Sequence, residues 1–205
     1  MMQELKRQIV EIGKILYRRE MIAGGEGNIS VKIDRGRILT TPTGLCKGML
    51  QPDDLTVVHL DGSVAPGQKR APSSELPMHL EIYRARPDVF AVVHAHPIFA
   101  TGFALAHIPL DRMLMPEIVM IFDRIPLVEY GTVGTSELSE KVGARIKDYD
   151  GLLLANHGAV TVGDDLWQAY FRMETLEHYA HIVWVANQLG GAKELSPENV
   201  KRLQK

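Results

Sequence analysis

The pattern of apolar and polar residues along the chain predicts an alternation of helices and short strands. Within residues 3–21, apolar side chains recur at steps of three and four, as on one face of an amphipathic α-helix. Short apolar or alternating runs bounded by turn-forming residues are typical of strands instead. The predicted helices cover residues 3–21, 73–86, 97–106, 136–146, 164–189 and 196–203, and the predicted strands cover 29–33, 37–41, 55–60, 89–94 and two short stretches within 151–163.

The residues between these strands indicate the class of fold. "DRG" separates the first two strands and "DG" follows the third, which predicts two β-hairpins. Because hairpins join antiparallel strands, we expect an α/β fold with a largely antiparallel sheet, in a single domain over residues 1–205. Residues 109–131 mix apolar runs with prolines and give no clear assignment. Ser73 and Ser74 are expected to cap the helix that follows them.

Composition and charge narrow the class of protein. Hydrophobic residues make up 45% of the 205 residues and charged residues 23%, which is ordinary for a globular domain with a sizeable core. The formal net charge is −2 and no lysine and arginine cluster is present, which argues against nucleic acid or an anionic membrane as a partner. The N-terminal segment is charged throughout, unlike a signal peptide, and the single Cys46 fits a reducing compartment. We therefore expect a cytoplasmic protein.

The stretch "AVVHAHPIFA", residues 91–100, places two histidines where a buried strand ends. Side chains two positions apart on a strand lie on the same face, so His94 and His96 are expected to face one point, and a metal ion is one candidate for that point. His157 in "LLLANHGAV" has a similar setting, and Glu75 is a candidate carboxylate ligand. Each residue alone is more often structural, so the prediction depends on the set. The other five histidines are expected to have structural roles.

Three short polar stretches, "GEGNIS", "TPTGL" and "PSSE", are candidates for binding an anion. Each combines glycine or another small residue with side chains that can donate a hydrogen bond, and exposed backbone amides in such loops attract phosphate. No segment matches a P-loop or a dinucleotide-binding glycine motif, so a nucleotide is not expected. Any one of the three stretches alone is as well explained by an ordinary turn or cap.

Taken in order, "GNIS", "TPTG", "PSSE", "VVHAH" and "NHG" resemble the class II aldolase/adducin family, over about residues 5 to 190. The resemblance implies an α/β/α sandwich around a mainly antiparallel sheet, assembled as a homotetramer with active sites between subunits. It also implies that zinc is bound by His94, His96 and His157, and that Glu75 is both the catalytic acid/base and a further zinc ligand. The residues implied to hold the substrate phosphate are Gly27, Asn28, Thr43, Gly44, Ser73 and Ser74.

The activity implied by this resemblance is the cleavage of a ketose 1-phosphate, such as L-fuculose 1-phosphate. The products would be dihydroxyacetone phosphate (DHAP) and a short aldehyde, formed through an enediolate whose charge zinc stabilises. A site of three imidazoles and one carboxylate also accepts other divalent ions, such as Co²⁺ or Mn²⁺. No lysine is placed as an obvious Schiff-base nucleophile, which agrees with the metal-dependent route.

One departure from the family pattern concerns the aldehyde part of the substrate. Met115 aligns where the fuculose phosphate aldolases supply a tyrosine from a neighbouring subunit, and no tyrosine stands in the C-terminal tail. Cleavage of 5-deoxyribulose 1-phosphate or methylthioribulose 1-phosphate is therefore an alternative activity. Dehydration of methylthioribulose 1-phosphate and decarboxylation, both found in the superfamily, are further alternatives. Glu75 argues against an epimerase, since the related epimerases have aspartate there. A metal-free adducin-like binding module would not need the histidines.

Overall fold

The computed structural model of the protein describes residues 1–204, and these contain seven α-helices and seven β-strands. The helices are α1 Met2–Arg18, α2 Leu76–Ala85, α3 Ile98–Leu105, α4 Pro116–Phe122, α5 Ser136–Ile146, α6 Leu166–Gln188 and α7 Pro197–Leu203. The strands are β1 Asn28–Lys32, β2 Arg37–Thr40, β3 Thr56–His59, β4 Ala91–Ala95, β5 Leu127–Val128, β6 Gly151–Leu154 and β7 Gly158–Gly163. None of these helices is both long enough and apolar enough to cross a membrane.

All the strands belong to one sheet, in the order β3-β2-β1-β4-β7-β6-β5. Only β5 and β6 pair in parallel, so the prediction of a largely antiparallel sheet is confirmed. The register places Asn28 of β1 opposite His94 of β4, and Ala95 of β4 opposite Ala159 of β7. The central strand β4 is therefore flanked on both sides, which buries its polar end inside the molecule.

Helices cover both faces of the sheet, which confirms the α/β/α sandwich. One core lies between the sheet and a layer that contains α1, α3 and α6, and Val93 of β4 belongs to it. The other core lies against α2 and α5, and Val92 belongs to that one. Because side chains alternate along a strand, His94 lies on the same face as Val92, towards the layer that contains α2.

Most predicted elements occur within a few residues of their expected bounds. The first helix ends earlier, at Arg18, and the central segment contains α4 and the two-residue strand β5. The second predicted hairpin is reduced to a single bridge between Val58 and Val64. A reason is that the residues after its turn, "SV", are followed directly by Ala65 and Pro66, and proline cannot donate to a strand ladder.

The start of α2 differs from the expectation in a way that matters for the site. The helix begins at Leu76 with Glu75 at its N-cap position, and neither Ser73 nor Ser74 caps it. Ser73 instead stabilises the preceding turn, because its Oγ accepts a hydrogen bond from the Glu75 amide at 3.2 Å. The Glu75 carboxylate makes no capping bond to the helix, and its oxygens lie beside His94 of β4 and His157.

Candidate metal centre

The structure brings the three predicted histidine ligands together around one point. Nε2 of His94 lies 3.1 Å from Nε2 of His96, and the potential ligand atoms of these two rings and of His157 all lie within 4.8 Å of one another. Glu75 is at the same place, with Oε2 3.3 Å from Nε2 of His94 and Oε1 3.2 Å from Nε2 of His157. The cluster therefore contains three imidazoles and one carboxylate.

Strand pairing is what gathers these residues. His94 is the fourth residue of β4 and His96 follows the end of that strand, so both rings point to the same side of the sheet. His157 belongs to the turn between β6 and β7, and β7 pairs with β4. Glu75 immediately precedes α2, which packs on that side of the sheet. Three distant segments thus supply the four side chains: the end of β4 supplies two, and each of the other two segments supplies one.

Close packing around position 158 explains why a glycine follows His157. A Cβ atom added there would lie 2.6 Å from the carbonyl oxygen of Ala95 and 2.6 Å from Cδ2 of His96. These distances are well below ordinary carbon contacts of about 3.5–4.0 Å. The absence of a side chain at this position therefore allows the His96 ring to lie directly against the first residue of β7.

The donor atoms have the chemistry and spacing of a divalent metal site. Metal–nitrogen distances of 2.0–2.1 Å in a tetrahedral zinc site place neighbouring ligand atoms about 3.3 Å apart. The three neighbouring pairs formed by His96, His94, Glu75 and His157 are separated by 3.1, 3.3 and 3.2 Å. Oε1 of Glu75 is buried and forms no hydrogen bond among residues 1–204, although it lies 3.2 Å from Nε2 of His157, and a bound cation would satisfy this oxygen. These residues fit a bound divalent metal.

The remaining ring nitrogens of two histidines have partners that orient the rings. Nδ1 of His94 donates to the carbonyl oxygen of Ala159 at 2.9 Å, and Nδ1 of His96 lies 3.3 Å from Oε2 of Glu26. Such outer contacts leave the Nε2 lone pairs directed at the metal position. Glu26 was not predicted from the sequence, although it lies in the "GEGNIS" stretch already singled out.

The electrostatic environment favours an ionised carboxylate. Burial raises the pKa of Glu75, but the neighbouring rings of His94 and His157 outweigh burial and lower the pKa below its usual range. Burial, with the adjacent His94 and His157, lowers the pKa of His96 to about 4. At neutral pH the ionised Glu75 and the neutral His96 are therefore in the forms that bind metal. Burial acts to lower the pKa of His94, but Glu75 outweighs burial and raises that pKa, and a metal ion would displace the extra proton.

The three predicted phosphate-binding stretches also lie together. Pro42 forms a bridge with Pro72, and the amide of Ser73 donates to the carbonyl oxygen of Thr41 at 3.2 Å. The place where Cβ of Gly25 would stand is 3.6 Å from the carbonyl carbon of Gly44. The segments that contain Gly27 and Asn28, Thr43 and Gly44, and Ser73 and Ser74 thus adjoin one another at the Glu75 end of α2. The Asn28 side chain is directed at Glu75, since its Nδ2 donates to Oε2 at 2.8 Å.

A buried lysine beside these stretches was missed from the sequence. Lys47 is only 2% exposed, and its Nζ donates to the carbonyl oxygen of Gly25 at 2.5 Å. Within residues 1–204 it forms no ion pair, and burial lowers its pKa. An ammonium group has three N–H donors, so a cation with a single hydrogen bond is available for an anion.

The comparisons with known proteins agree with this geometry. The family described as Class II Aldolase and Adducin N-terminal domain matches residues 7–184. An L-fuculose phosphate aldolase from Methanococcus maripaludis is 37% identical over 182 residues, which are 89% of this chain and 97% of that protein. The chain belongs to the class II aldolase/adducin family.

Two further relatives broaden the activities found in similar proteins. A 3-oxo-tetronate 4-phosphate decarboxylase from Pectobacterium atrosepticum is 35% identical over 188 residues, which are 89% of this chain and 85% of that protein. The crystal structure of YgbL from Klebsiella pneumoniae, described as an aldolase/epimerase/decarboxylase, superposes with a TM-score of 0.92 at 31% identity and covers 99% of both chains. Aldolases and decarboxylases are both lyases, and this chain is a lyase of that family.

Proposed function

We propose that the protein is a zinc-dependent aldolase that cleaves a ketose 1-phosphate, such as L-fuculose 1-phosphate, to DHAP and a short aldehyde. The observation that supports this proposal is the convergence of His94, His96, His157 and Glu75, whose neighbouring donor atoms lie 3.1 to 3.3 Å apart. The aldolase from Methanococcus maripaludis, which matches over 89% of this chain, supports the choice of reaction.

In this proposal the three histidines hold the zinc ion, and Glu75 completes the site when no substrate is bound. A zinc ion there supplies Lewis acidity, which stabilises the negative charge that develops next to the ketose carbonyl during cleavage. Co²⁺ or Mn²⁺ would fit the same donor set. The hydrogen bond from His94 to Ala159 keeps its Nε2 lone pair directed at the metal position.

Glu75 is the proposed acid/base. Its carboxylate is buried and ionised in the free protein, and Glu75 is the residue that immediately precedes α2. Cleavage between C3 and C4 turns the C4 hydroxyl into the aldehyde and leaves the electron pair of the broken bond on C3. The ionised Glu75 would take up the proton that the C4 hydroxyl loses and then deliver it to C3 to give DHAP. In the direction of condensation the same carboxylate removes this proton, with Asn28 Nδ2 holding Oε2 in place.

The phosphate group of the substrate is proposed to bind where the three polar stretches adjoin. Backbone amides and hydroxyl groups in such a concave loop cluster suit a phosphate, and Lys47 would add a buried positive charge. Fixing the phosphate at one end of the substrate sets the distance from C3 to Glu75, which favours the reaction geometry. The residues assigned to this cradle are Gly27, Asn28, Thr43, Gly44, Ser73 and Ser74.

The direct test is a screen of ketose 1-phosphates coupled to detection of DHAP, with zinc content measured on the same preparation. His96→Ala is expected to lose bound zinc and cleavage together. Glu75→Gln is expected to keep zinc, because an amide oxygen and three histidines remain, yet to stop deuterium exchange at C3 of DHAP in heavy water. Full turnover without bound metal, or unchanged exchange in Glu75→Gln, would refute the proposal.

A second candidate is decarboxylation, and it is favoured by the relative from Pectobacterium atrosepticum, which matches over 89% of this chain. Loss of carbon dioxide from a 3-oxo acid phosphate also leaves an electron pair beside a carbonyl, so the same site would serve. Release of carbon dioxide from 3-oxo-tetronate 4-phosphate, without DHAP formation from any ketose 1-phosphate, would select this candidate.

The same screen separates cleavage from dehydration. Dehydration of methylthioribulose 1-phosphate would retain every carbon and release no DHAP. Cleavage of methylthioribulose 1-phosphate or of 5-deoxyribulose 1-phosphate would release DHAP.

We also propose a homotetramer with active sites between subunits. Large apolar side chains are exposed on α3, α4 and α6: Ile98 is 59%, Met120 59% and Phe171 52% exposed. Exposed apolar groups of this size on neighbouring helices are typical of subunit interfaces. Light scattering coupled to size-exclusion chromatography tests this directly, and a monomer at micromolar concentration would contradict it.

A further inference from the structure

A continuous series of buried hydrogen bonds runs from Glu75 into the interior. Asn28 Nδ2 donates to Glu75 Oε2 at 2.8 Å, and Asn28 Oδ1 lies 2.5 Å from Nε2 of His79. On the far side of that ring, Nδ1 of His79 lies 2.7 Å from Oγ of Ser30, which lies 2.8 Å from the hydroxyl oxygen of Tyr83. All five side chains are at most 9% exposed.

The spacing of these residues in the sequence accounts for their meeting. Glu75, His79 and Tyr83 are four apart, so they share one face at the start and along the length of α2. Asn28 and Ser30 are two apart and share one face of β1. Four helical residues rise about 6 Å and two strand residues about 6.7 Å. The side chains on α2 and those on β1 therefore have nearly the same spacing and can contact each other one after another.

The donor and acceptor chemistry of these groups fixes the direction of every hydrogen bond in the series. A carboxylate only accepts hydrogen bonds, so Asn28 must present its amide nitrogen to Glu75 and its oxygen to His79. That oxygen needs a donor, so the His79 ring bears its proton on Nε2. The Nδ1 lone pair then accepts from the Ser30 hydroxyl, and Ser30 accepts from Tyr83. Burial, together with the nearby His94, lowers the pKa of His79 to about 3, which keeps the ring neutral.

We propose that His79 is a positioning residue: with Ser30 and Tyr83 behind it, it holds the Asn28 amide with its N–H towards Glu75 and so fixes the carboxylate for proton transfer at C3. This inference rests on the proposed acid/base role of Glu75. Without the His79 donor, the Asn28 oxygen is left buried and without a hydrogen bond, so the amide loses the contact that fixes its position against Glu75.

A matched pair of variants separates positioning from packing. Gln in His79→Gln can place an N–H near the position of Nε2, whereas the shorter Asn in His79→Asn reaches only the position of Nδ1. His79→Asn is expected to lower kcat for deuterium exchange at C3 of DHAP by at least about tenfold, as for other outer contacts of such sites. KM and zinc content are expected to change much less, and His79→Gln should recover most of the loss. Equal kcat values for wild type, His79→Asn and His79→Gln would overturn the inference.

A spectroscopic measurement tests the direction of the hydrogen bonds independently of activity. Long-range ¹H–¹⁵N correlation spectra of the wild-type protein should show the proton of His79 on Nε2, and a proton on Nδ1 would overturn the inference even if the variants fail to fold. The failure of the proposed function looks different: wild-type protein loaded with zinc would then show no exchange at C3, whatever the tautomer of His79.

Discussion

Replacement of Gly158 by alanine is expected to disturb the proposed metal site through one methyl group. The added Cβ would lie 2.6 Å from both the Ala95 oxygen and Cδ2 of His96, so both contacts must lengthen, and the carbon–carbon contact must lengthen by about 1 Å. Ala95 pairs with Ala159 between two central strands, which resists displacement of its carbonyl group. The His96 ring is only partly buried, so we expect the ring to move further than the carbonyl group.

The size of both effects follows from this displacement. Metal ligands tolerate deviations of about 0.2 Å, so a shift of about 1 Å removes His96 as an effective ligand. We expect zinc affinity to fall by at least about tenfold, which corresponds to about 1.4 kcal/mol. Overpacking a filled site also costs about 1–3 kcal/mol of unfolding free energy.

The assay is a zinc titration of metal-stripped protein in competition with a chelator, alongside urea denaturation of the same samples. Gly102→Ala is the matched control, because Gly102 lies within α3 and an added Cβ meets no atom within 4 Å. That variant should bind zinc normally and gain about 0.5–1 kcal/mol of stability. Wild-type zinc affinity in Gly158→Ala would refute the role assigned to this glycine.

Three further predictions concern α6, His79 and the phosphate cradle. Asp165→Ala should lower the free energy of unfolding by about 1 kcal/mol in urea denaturation, since the carboxylate caps α6 by accepting from the Gln168 amide at 2.8 Å; Asp165→Asn should lose less, and equal losses would contradict capping. The pKa of His79 is about 3 when folded and about 6.5 when unfolded, so the unfolded state binds more protons between these values. The stability of metal-free protein should therefore fall as pH drops from about 6.5 towards 3, more steeply than in His79→Gln by up to about 1.4 kcal/mol per pH unit; parallel curves would contradict this. The double variant Ser73→Ala, Ser74→Ala should raise KM for a phosphorylated ketose more than for its unphosphorylated analogue, and equal increases would remove both serines from the cradle.

Much of the fold and the placement of His94 and His96 on one face could be predicted because they depend on short-range periodicity. A strand alternates with a period of two, and that alone places His94 and His96 on one face. Hairpin turns likewise indicate antiparallel pairing before any partner is known. The roles proposed for Glu75 and His157 depend on the order of the motifs, since no local pattern links residues so far apart.

The features that were missed depend on packing between distant segments. The strand β5 has only two residues and α4 has seven, so neither is long enough to show a period. Lys47 lies in a segment whose sequence is typical of an exposed loop, and its burial is evident only from the three-dimensional structure. His79 did have a signal, namely its distance of four residues from Glu75, but that spacing has meaning only beside the matching pair on β1.

The α2 face that carries Glu75, His79 and Tyr83 matches the β1 face that carries Asn28 and Ser30, and this match limits which changes in chain length the architecture can survive. One residue inserted between Glu75 and His79 would turn the rest of the helix by about 100°, and one inserted between Asn28 and Ser30 would send the second side chain to the opposite face of the sheet. Substitutions can be accommodated one at a time, but a length change in either segment would dismantle the support of the carboxylate in a single step. Loop lengths are therefore expected to drift among related proteins while these two intervals stay constant.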